Sequence, residues 1–175
     1  MSRVEQTRAY LALGSNLGDR LAYLRMAVEA LRRHPKIRIA RTSPIYENPA
    51  VTLASEDLQP DFLNAVVEVE TSLNARALLE VCQEIEREAG RDREKGKRWQ
   101  ARTLDVDLIA FGDEEIDEPG LRIPHPRLGE RLFVLRPLAD IAPDARIPAP
   151  FSARVTELLE MAPTHEMALP IAETL

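Results

Sequence analysis

"RWQARTLDVDLIAF", residues 98–111, joins a cationic patch to a hydrophobic run through two aspartates. Side chains alternate along a strand, so Leu104, Val106 and Leu108 share one face while Asp105 and Asp107 share the other. The apolar face is expected to pack on helices, leaving the carboxylates on the open face. Aspartate is disfavoured in strands, so two in one apolar run point to a chemical role. Their Cα atoms would lie roughly 6.5–7 Å apart. Two anions that close need positive charge between them, and a hard divalent cation such as Mg²⁺ suits carboxylate oxygens shared with phosphates.

Working outward, the segment just before is strongly basic: Arg87, Arg91, Arg93, Lys95, Lys97, Arg98 and Arg102 stand in a chain whose net charge is −6. A local positive stretch in an acidic protein fits a small anion such as a phosphate better than a long polyanion. Arg91, Arg93 and Arg102 are candidates for neutralising phosphate oxygens. Trp99, in the same polar loop, suits stacking on a planar ligand. Further upstream, "LNARALLEVCQEIEREAG" (73–90) spaces Leu78, Cys82, Ile85 and Ala89 as a helical stripe, with Asn74 as cap and Gly90 at the exit.

Before it, "DFLNAVVEVET" (61–71) alternates as a half-buried strand, and "IRIARTSPIY" (37–46) reads as another. The polar, proline-marked "ENPAVTLASEDLQP" (47–60) between them is longer than a hairpin needs. "RAYLALGSN" (8–16) is a first strand ending in a turn. "LGDRLAYLRMAVEALRRH" (17–34) is an amphipathic helix through Leu21, Leu24, Val28 and Leu31, closed by Pro35. "GSNLG" lacks the Gly-Lys-Ser/Thr of a P-loop and reads as a tight turn that lets substrate approach. Downstream, "GDEEIDEPGLRIPHP" (112–126) suggests a short β-excursion, "ERLFVLRPLADIAP" (130–143) a helix as far as Pro137, and Val155, Leu158 and Leu159 one more helix. The last ten or so residues are expected to be loose.

The order is β-α-β-β-α-β: an α+β, ferredoxin-like antiparallel sheet with helices on one face and C-terminal additions. Its 175 residues read as a single domain, with a core of about 8–150 and an extension over 151–175. Cys82 is the sole cysteine, which excludes an intramolecular disulfide. No stretch approaches the ~20 apolar residues of a membrane helix. The first residues do not resemble a secretory signal, so a cytoplasmic protein without membrane or nucleic-acid partners is expected.

The chain resembles the 6-hydroxymethyl-7,8-dihydropterin pyrophosphokinase family over roughly residues 8–144. The resemblance is carried by "YLALGSNLGDR", "SPIYENPA", "QPDFLNAVVEVET", "IEREAGRDREKGKRWQARTLDVDLIAFGD" and "IPHPRLGERLFVLRPLADIAP", in the family's order. It implies pyrophosphate transfer from ATP, the co-substrate, to a reduced pterin alcohol in folate biosynthesis. It also implies that Asp105 and Asp107 hold two Mg²⁺ ions and that Arg91, Arg93 and Arg102 surround the triphosphate, with Trp99 covering the site. Gln83, Glu86, His125 and Arg131 would complete the ATP contacts. Asn64 would read the pterin edge, Phe62 and Phe133 would stack on it, and Asn48, Pro49 and Val51 would line its pocket. His125 between prolines could equally be a surface turn, and Phe133 a core residue. The sequence departs from the family's pattern in Gln100-Ala101, Asn48 and Thr52, none of them a metal ligand. A metal-dependent phosphodiesterase would need a further acid or histidine cluster. An RNA-binding module would need a basic sheet face with exposed aromatics.

Overall fold

The computed structural model describes residues 6–50, 59–90, 103–163, 169–171 and 173–175. Strand β1 (Thr7–Ser15) takes in Gly14 and Ser15, which the sequence reading assigned to a turn, and the chain bends after it into helix α1 (Arg20–Arg33), where the Asp19 side chain accepts from Ala22 N–H. The chain returns as β2 (Ile37–Thr42) and β3 (Tyr46–Asn48), then β4 (Phe62–Thr71). Helix α2 (Ala75–Glu88) is capped by Asn74, which accepts from Ala77 N–H. Gly90, at φ +80°, turns the chain out of it, a conformation other residues resist. Strand β5 (Asp105–Phe111) and a hairpin of β6 (Ile116–Glu118) and β7 (Leu121–Ile123) follow. Helix α3 (Leu132–Ile141), strands β8 (Arg146–Ile147) and β9 (Ala153–Arg154), helix α4 (Val155–Met161) and strand β10 (Leu169–Pro170) complete the chain.

The main sheet runs β10-β3-β4-β1-β5, with β2 also paired to β4 and every pairing antiparallel. Helices α1 and α2 cover one face: Leu24, Val28, Leu31, Leu78, Cys82 and Ile85 pack on Leu11, Leu13, Leu63, Val67 and Val106. Two helices on one face are as expected, but the expectation that the opposite face is open needs correction. Val134, Leu135 and Leu138 of α3, with Val155 and Leu158 of α4, form a second apolar cluster on Tyr10, Ala12 and Val66 on the opposite face. For the same reason β4 is not half-buried: Val66 is fully buried, and Glu68 is only 4% exposed with its carboxylate paired to Arg8 at 2.9 Å.

Three further boundaries differ from the sequence reading. "IRIARTSPIY" is two strands, because Ser43 leaves the ladder to exchange bonds with Val66: Ser43 N–H donates to Val66 O, and Val66 N–H to Ser43 Oγ, both at 2.9 Å. Helix α3 runs through Pro137 instead of stopping there. A proline N would face the carbonyl of Phe133 one turn back, and the buried inner face of α3 outweighs that single lost bond. The tail is not wholly loose. Leu169 and Pro170 pair with Glu47 and Tyr46, and Ile171 N–H donates to Ile45 O at 2.9 Å. Beyond it, Arg25 reaches Thr174 O at 3.1 Å and Glu173 at 3.1 Å. Among the described residues no helix is long and apolar enough to cross a membrane.

Candidate active site

The sheet register brings two chemistries to one face. Gly14 on β1 is opposite Asn64 on β4 and opposite Asp105 on β5, while Ala12 is opposite Val66 and Asp107. Directly opposed residues in a sheet project to the same side. Asn64 and Asp105 therefore flank Gly14, about 9.5–10 Å apart across two inter-strand spacings. This is the face that α3 covers, and α3 starts beside the aspartates, so the site lies beyond the N-terminal end of that helix.

On the acidic side, Asp105 and Asp107 are both half-buried. Arg131 Nη1 donates to Asp107 Oδ2 at 2.7 Å, and these side chains keep 19% and 30% of their surface. Arg131 is held by its own backbone, since Val134 and Leu135 N–H both donate to its carbonyl. Its guanidinium carbon lies 5.9 Å from the Phe133 ring centroid, within cation–π range. His125 is fixed on both sides: its N–H donates to Ile109 O at 2.8 Å, and its carbonyl accepts from Leu128 N–H at 3.0 Å. Burial holds its pKa below the usual 6.5, the Arg131 charge adds to that, and Asp107 opposes it. His125 Nδ1 accepts from Arg127 N–H at 3.2 Å, so the neutral ring carries its proton on Nε2. His125 is thus a part-buried donor rather than a bare surface turn.

Glu86 lies on α2 and is fully buried. Its Oε1 accepts from Val106 N–H at 2.9 Å, pinning the peptide between the two aspartates. The resemblance implies a nucleotide-side role for Glu86, and this support of β5 is a task the sequence did not show. Gln83, one turn earlier, is half-buried.

On the other side, Asn64 Nδ2 donates to Asn48 Oδ1, and both side chains are buried. Asn48 Nδ2 donates to Pro49 O at 3.1 Å. Asn48 is opposite Phe62 in the last rung of the β3–β4 ladder. Phe62 and Phe133 are both half-buried, and Phe133 also packs at the edge of the α3–α4 cluster. A side chain at Gly14 would press on this cluster: a Cβ there would sit 3.0 Å from Asn64 Oδ1 and 3.7 Å from Phe62 Cδ1. Gly14 is a site residue by absence of atoms, signalled in the sequence only as part of a turn.

The register thus groups Asp105, Asp107, Arg131 and His125 on one side of Gly14, and Asn48, Phe62 and Asn64 on the other. Arg91, Arg93, Trp99, Arg102 and Val51 lie outside the described residues. Among the described residues no three acids, histidines or cysteines converge on one metal position. An ion held by Asp105 and Asp107 would take its remaining oxygens from substrate and water, the habit of Mg²⁺.

A family model described as 7,8-dihydro-6-hydroxymethylpterin-pyrophosphokinase matches residues 10–143. A Bacillus subtilis 2-amino-4-hydroxy-6-hydroxymethyldihydropteridine pyrophosphokinase is 52% identical over 133 residues, covering 76% of this chain and 77% of that one. A Haemophilus influenzae protein of the same name is 40% identical over 159 residues, covering 91% and 95%. Among solved structures, a Plasmodium falciparum HPPK-DHPS with pterin and p-hydroxybenzoate superposes with a TM-score of 0.66 at 17% identity. The match covers 89% of this chain and 44% of that longer one, a likeness of fold alone. The sequence match over most of the chain and the two close relatives agree: this chain belongs to the 7,8-dihydro-6-hydroxymethylpterin pyrophosphokinase family.

Proposed function

We propose that this chain transfers pyrophosphate from ATP to the hydroxymethyl group of 6-hydroxymethyl-7,8-dihydropterin, releasing AMP, as a step of folate biosynthesis. The observation that carries this reading is the register at Gly14, which sets an amide-and-aromatic cluster beside an acidic-and-basic one on the same sheet face. A planar, hydrogen-bonding substrate suits the first and a polyphosphate suits the second.

The pterin hydroxymethyl oxygen attacks the β-phosphorus of ATP in line. The bond from that phosphorus to the oxygen of the α-phosphate breaks, AMP departs, and the hydroxyl proton leaves to solvent. Asp105 and Asp107 would hold two Mg²⁺ ions, an assignment supported by their all-oxygen donor set and shared face. Mg²⁺ held by these residues would supply charge neutralisation for the phosphate oxygens. Arg131 keeps Asp107 aimed and adds positive charge at the phosphate end, while His125 offers an Nε2–H donor. Glu86 keeps the aspartate-bearing segment in place. Asn64, with its amide set by Asn48, reads the pterin edge, and Phe62 and Phe133 bracket its ring; Pro49 and Val51 are assigned to the pocket lining. Gln83 belongs to the nucleotide side. Arg91, Arg93 and Arg102 complete the phosphate contacts and Trp99 covers the ring. No side chain is assigned as general base, so positioning and electrostatics supply the rate enhancement.

The strand order β3-β4-β1-β5, with α1 and α2 crossing on one face, supports a ferredoxin-like core. Residues 1–175 are assigned to one pyrophosphokinase domain, in a cytoplasmic setting where ATP and reduced pterins occur.

The direct test incubates the purified chain with ATP, Mg²⁺ and 6-hydroxymethyl-7,8-dihydropterin. AMP and pterin diphosphate should appear in equal amounts, with little AMP when the pterin is left out. ADP formation, or AMP release independent of pterin, would overturn the assignment.

A further inference from the structure

Beyond Gly14, the turn that starts at Asn16 and the start of α1 have no part in the chemistry above, yet they grip the substrate side. Arg20 Nη1 has two hydrogens and uses both: it donates to Glu47 Oε1 at 2.8 Å and to Asp61 O at 2.7 Å. Glu47 is the middle residue of β3, and Asp61 immediately precedes β4. The two acceptors therefore belong to the outgoing and returning arms of the connection between β3 and β4. In the same turn, Asn16 Nδ2 donates to Pro60 O at 3.1 Å and approaches Gln59 Oε1 at 3.4 Å.

The position of this bridge gives it a specific consequence. Strand β3 has only three residues, and its ladder to β4 ends at the pair Asn48 and Phe62. The terminal rung of so short a ladder opens easily unless a third element braces it. Arg20 spans that rung from outside, bonding the residue before Asn48 and the residue before Phe62. The Asn48–Asn64 bond depends on the two strands keeping this separation.

We infer that Arg20 is a positioning residue for the pterin side of the site, a brace that sets the spacing of Asn48, Phe62 and Asn64 without touching substrate. This rests on the reading of those three residues as pterin contacts. A purely structural ion pair at a half-exposed position would have little kinetic signature, since such pairs contribute little. A brace predicts a signature confined to one substrate.

The test uses the full chain as wild type, Arg20→Ala, Arg20→Lys and Glu47→Gln. Arg20→Ala should raise KM for the pterin by about three- to ten-fold, a loss on the scale of one ordinary hydrogen bond because the brace acts at one remove from substrate, with kcat and KM for ATP within about two-fold. Lysine has hydrogens for both acceptors but carries its nitrogen one bond nearer the backbone than Nη1, so it should recover only part, and Glu47→Gln should fall between. Amide exchange supplies a readout independent of turnover. In Arg20→Ala it should accelerate at residues 46–48 and 62–64 but not along β1 or β5. Unchanged pterin KM with unchanged exchange overturns the brace, and so does an equal loss in both substrates. A wild-type chain without pterin-dependent AMP release, but with the exchange pattern intact, would instead sink the functional reading and leave the brace standing.

Discussion

Replacing Gly14 by alanine tests whether the bare backbone between Asn64 and Asp105 is what makes the pterin side work. The added Cβ would lie 3.0 Å from Asn64 Oδ1, where ordinary contact begins at 3.4 Å, so one of the two must yield by a few tenths of an ångström. Asn64 cannot swing away cheaply, because it is buried and its amide is bonded to Asn48. Gly14 lies within β1 and does not have a positive φ, so alanine suits the backbone. The entropy gain of about 0.4–1 kcal/mol offsets part of an overpacking cost of about 1–3 kcal/mol. Net destabilisation should be no more than about 2.6 kcal/mol, leaving the protein folded. The kinetic cost follows from the displacement: a 1 Å misplacement costs about a hundredfold, so a few tenths should cost kcat/KM for the pterin about three- to ten-fold. Steady-state kinetics with each substrate varied, alongside urea unfolding, separates these effects. Wild-type kcat/KM for the pterin in a folded Gly14→Ala protein would refute the reasoning, as would an equal rise in KM for ATP.

Asp107→Asn removes one carboxylate from the pair and should lower Mg²⁺-dependent AMP formation at least about a hundredfold. Unfolding should be nearly unchanged, since the half-exposed pair with Arg131 contributes little stability; full activity would dismiss the metal assignment. Glu86→Ala strands the Val106 N–H and should cost about 1–3 kcal/mol in urea unfolding, whereas Glu86→Gln, which keeps an acceptor oxygen, should cost less. In protein freed of added metal, ¹⁵N NMR should find His125 neutral at pH 7 with its proton on Nε2 and a midpoint below 6.5. Because the folded form resists protonation, the unfolded chain binds more protons in that window. Stability should therefore fall as pH drops below about 6.5 in the wild type, and less steeply in His125→Ala.

The order of elements was legible because each carries its own period. The α2 stripe Leu78, Cys82, Ile85 and Ala89 is buried as spaced, Asn74 caps the helix, and Asp105 and Asp107 share a face as alternation requires. What could not be read was anything that depends on a distant partner. The alternation of Asn64, Val66 and Glu68 with apolar residues looks like a wet face, and only α3 and α4 docking there buries it. Pro137 reads as a helix stop because local sequence does not reveal how much surface the continuing turn buries. Arg20 reads as one more surface cation, since the acceptors that define it lie 27 and 41 residues away. Likewise Glu86 stands among helix acids of the same type, and only its bond to Val106, 20 residues on, sets it apart.

One feature of the site is nevertheless written in a single strand. On the functional face β1 presents Tyr10, Ala12 and Gly14 in succession, a taper from a large ring to no side chain. Tyr10 and Ala12 lie under the second apolar cluster, where side chains are needed to fill the space beneath α3 and α4. At Gly14 that covering has ended and bulk becomes harmful, because Asn64 and Phe62 lean over the backbone from β4. The central strand thus changes from core to site within five residues. The neighbours follow the same gradient: Val66 gives way to Asn64 on one side, while on the other Asp107 and then Asp105 extend beyond the helix. A bulky residue at position 14 would extend the core at the expense of the cleft. A small one at position 10 would open a void under α4 and α3 without enlarging the site.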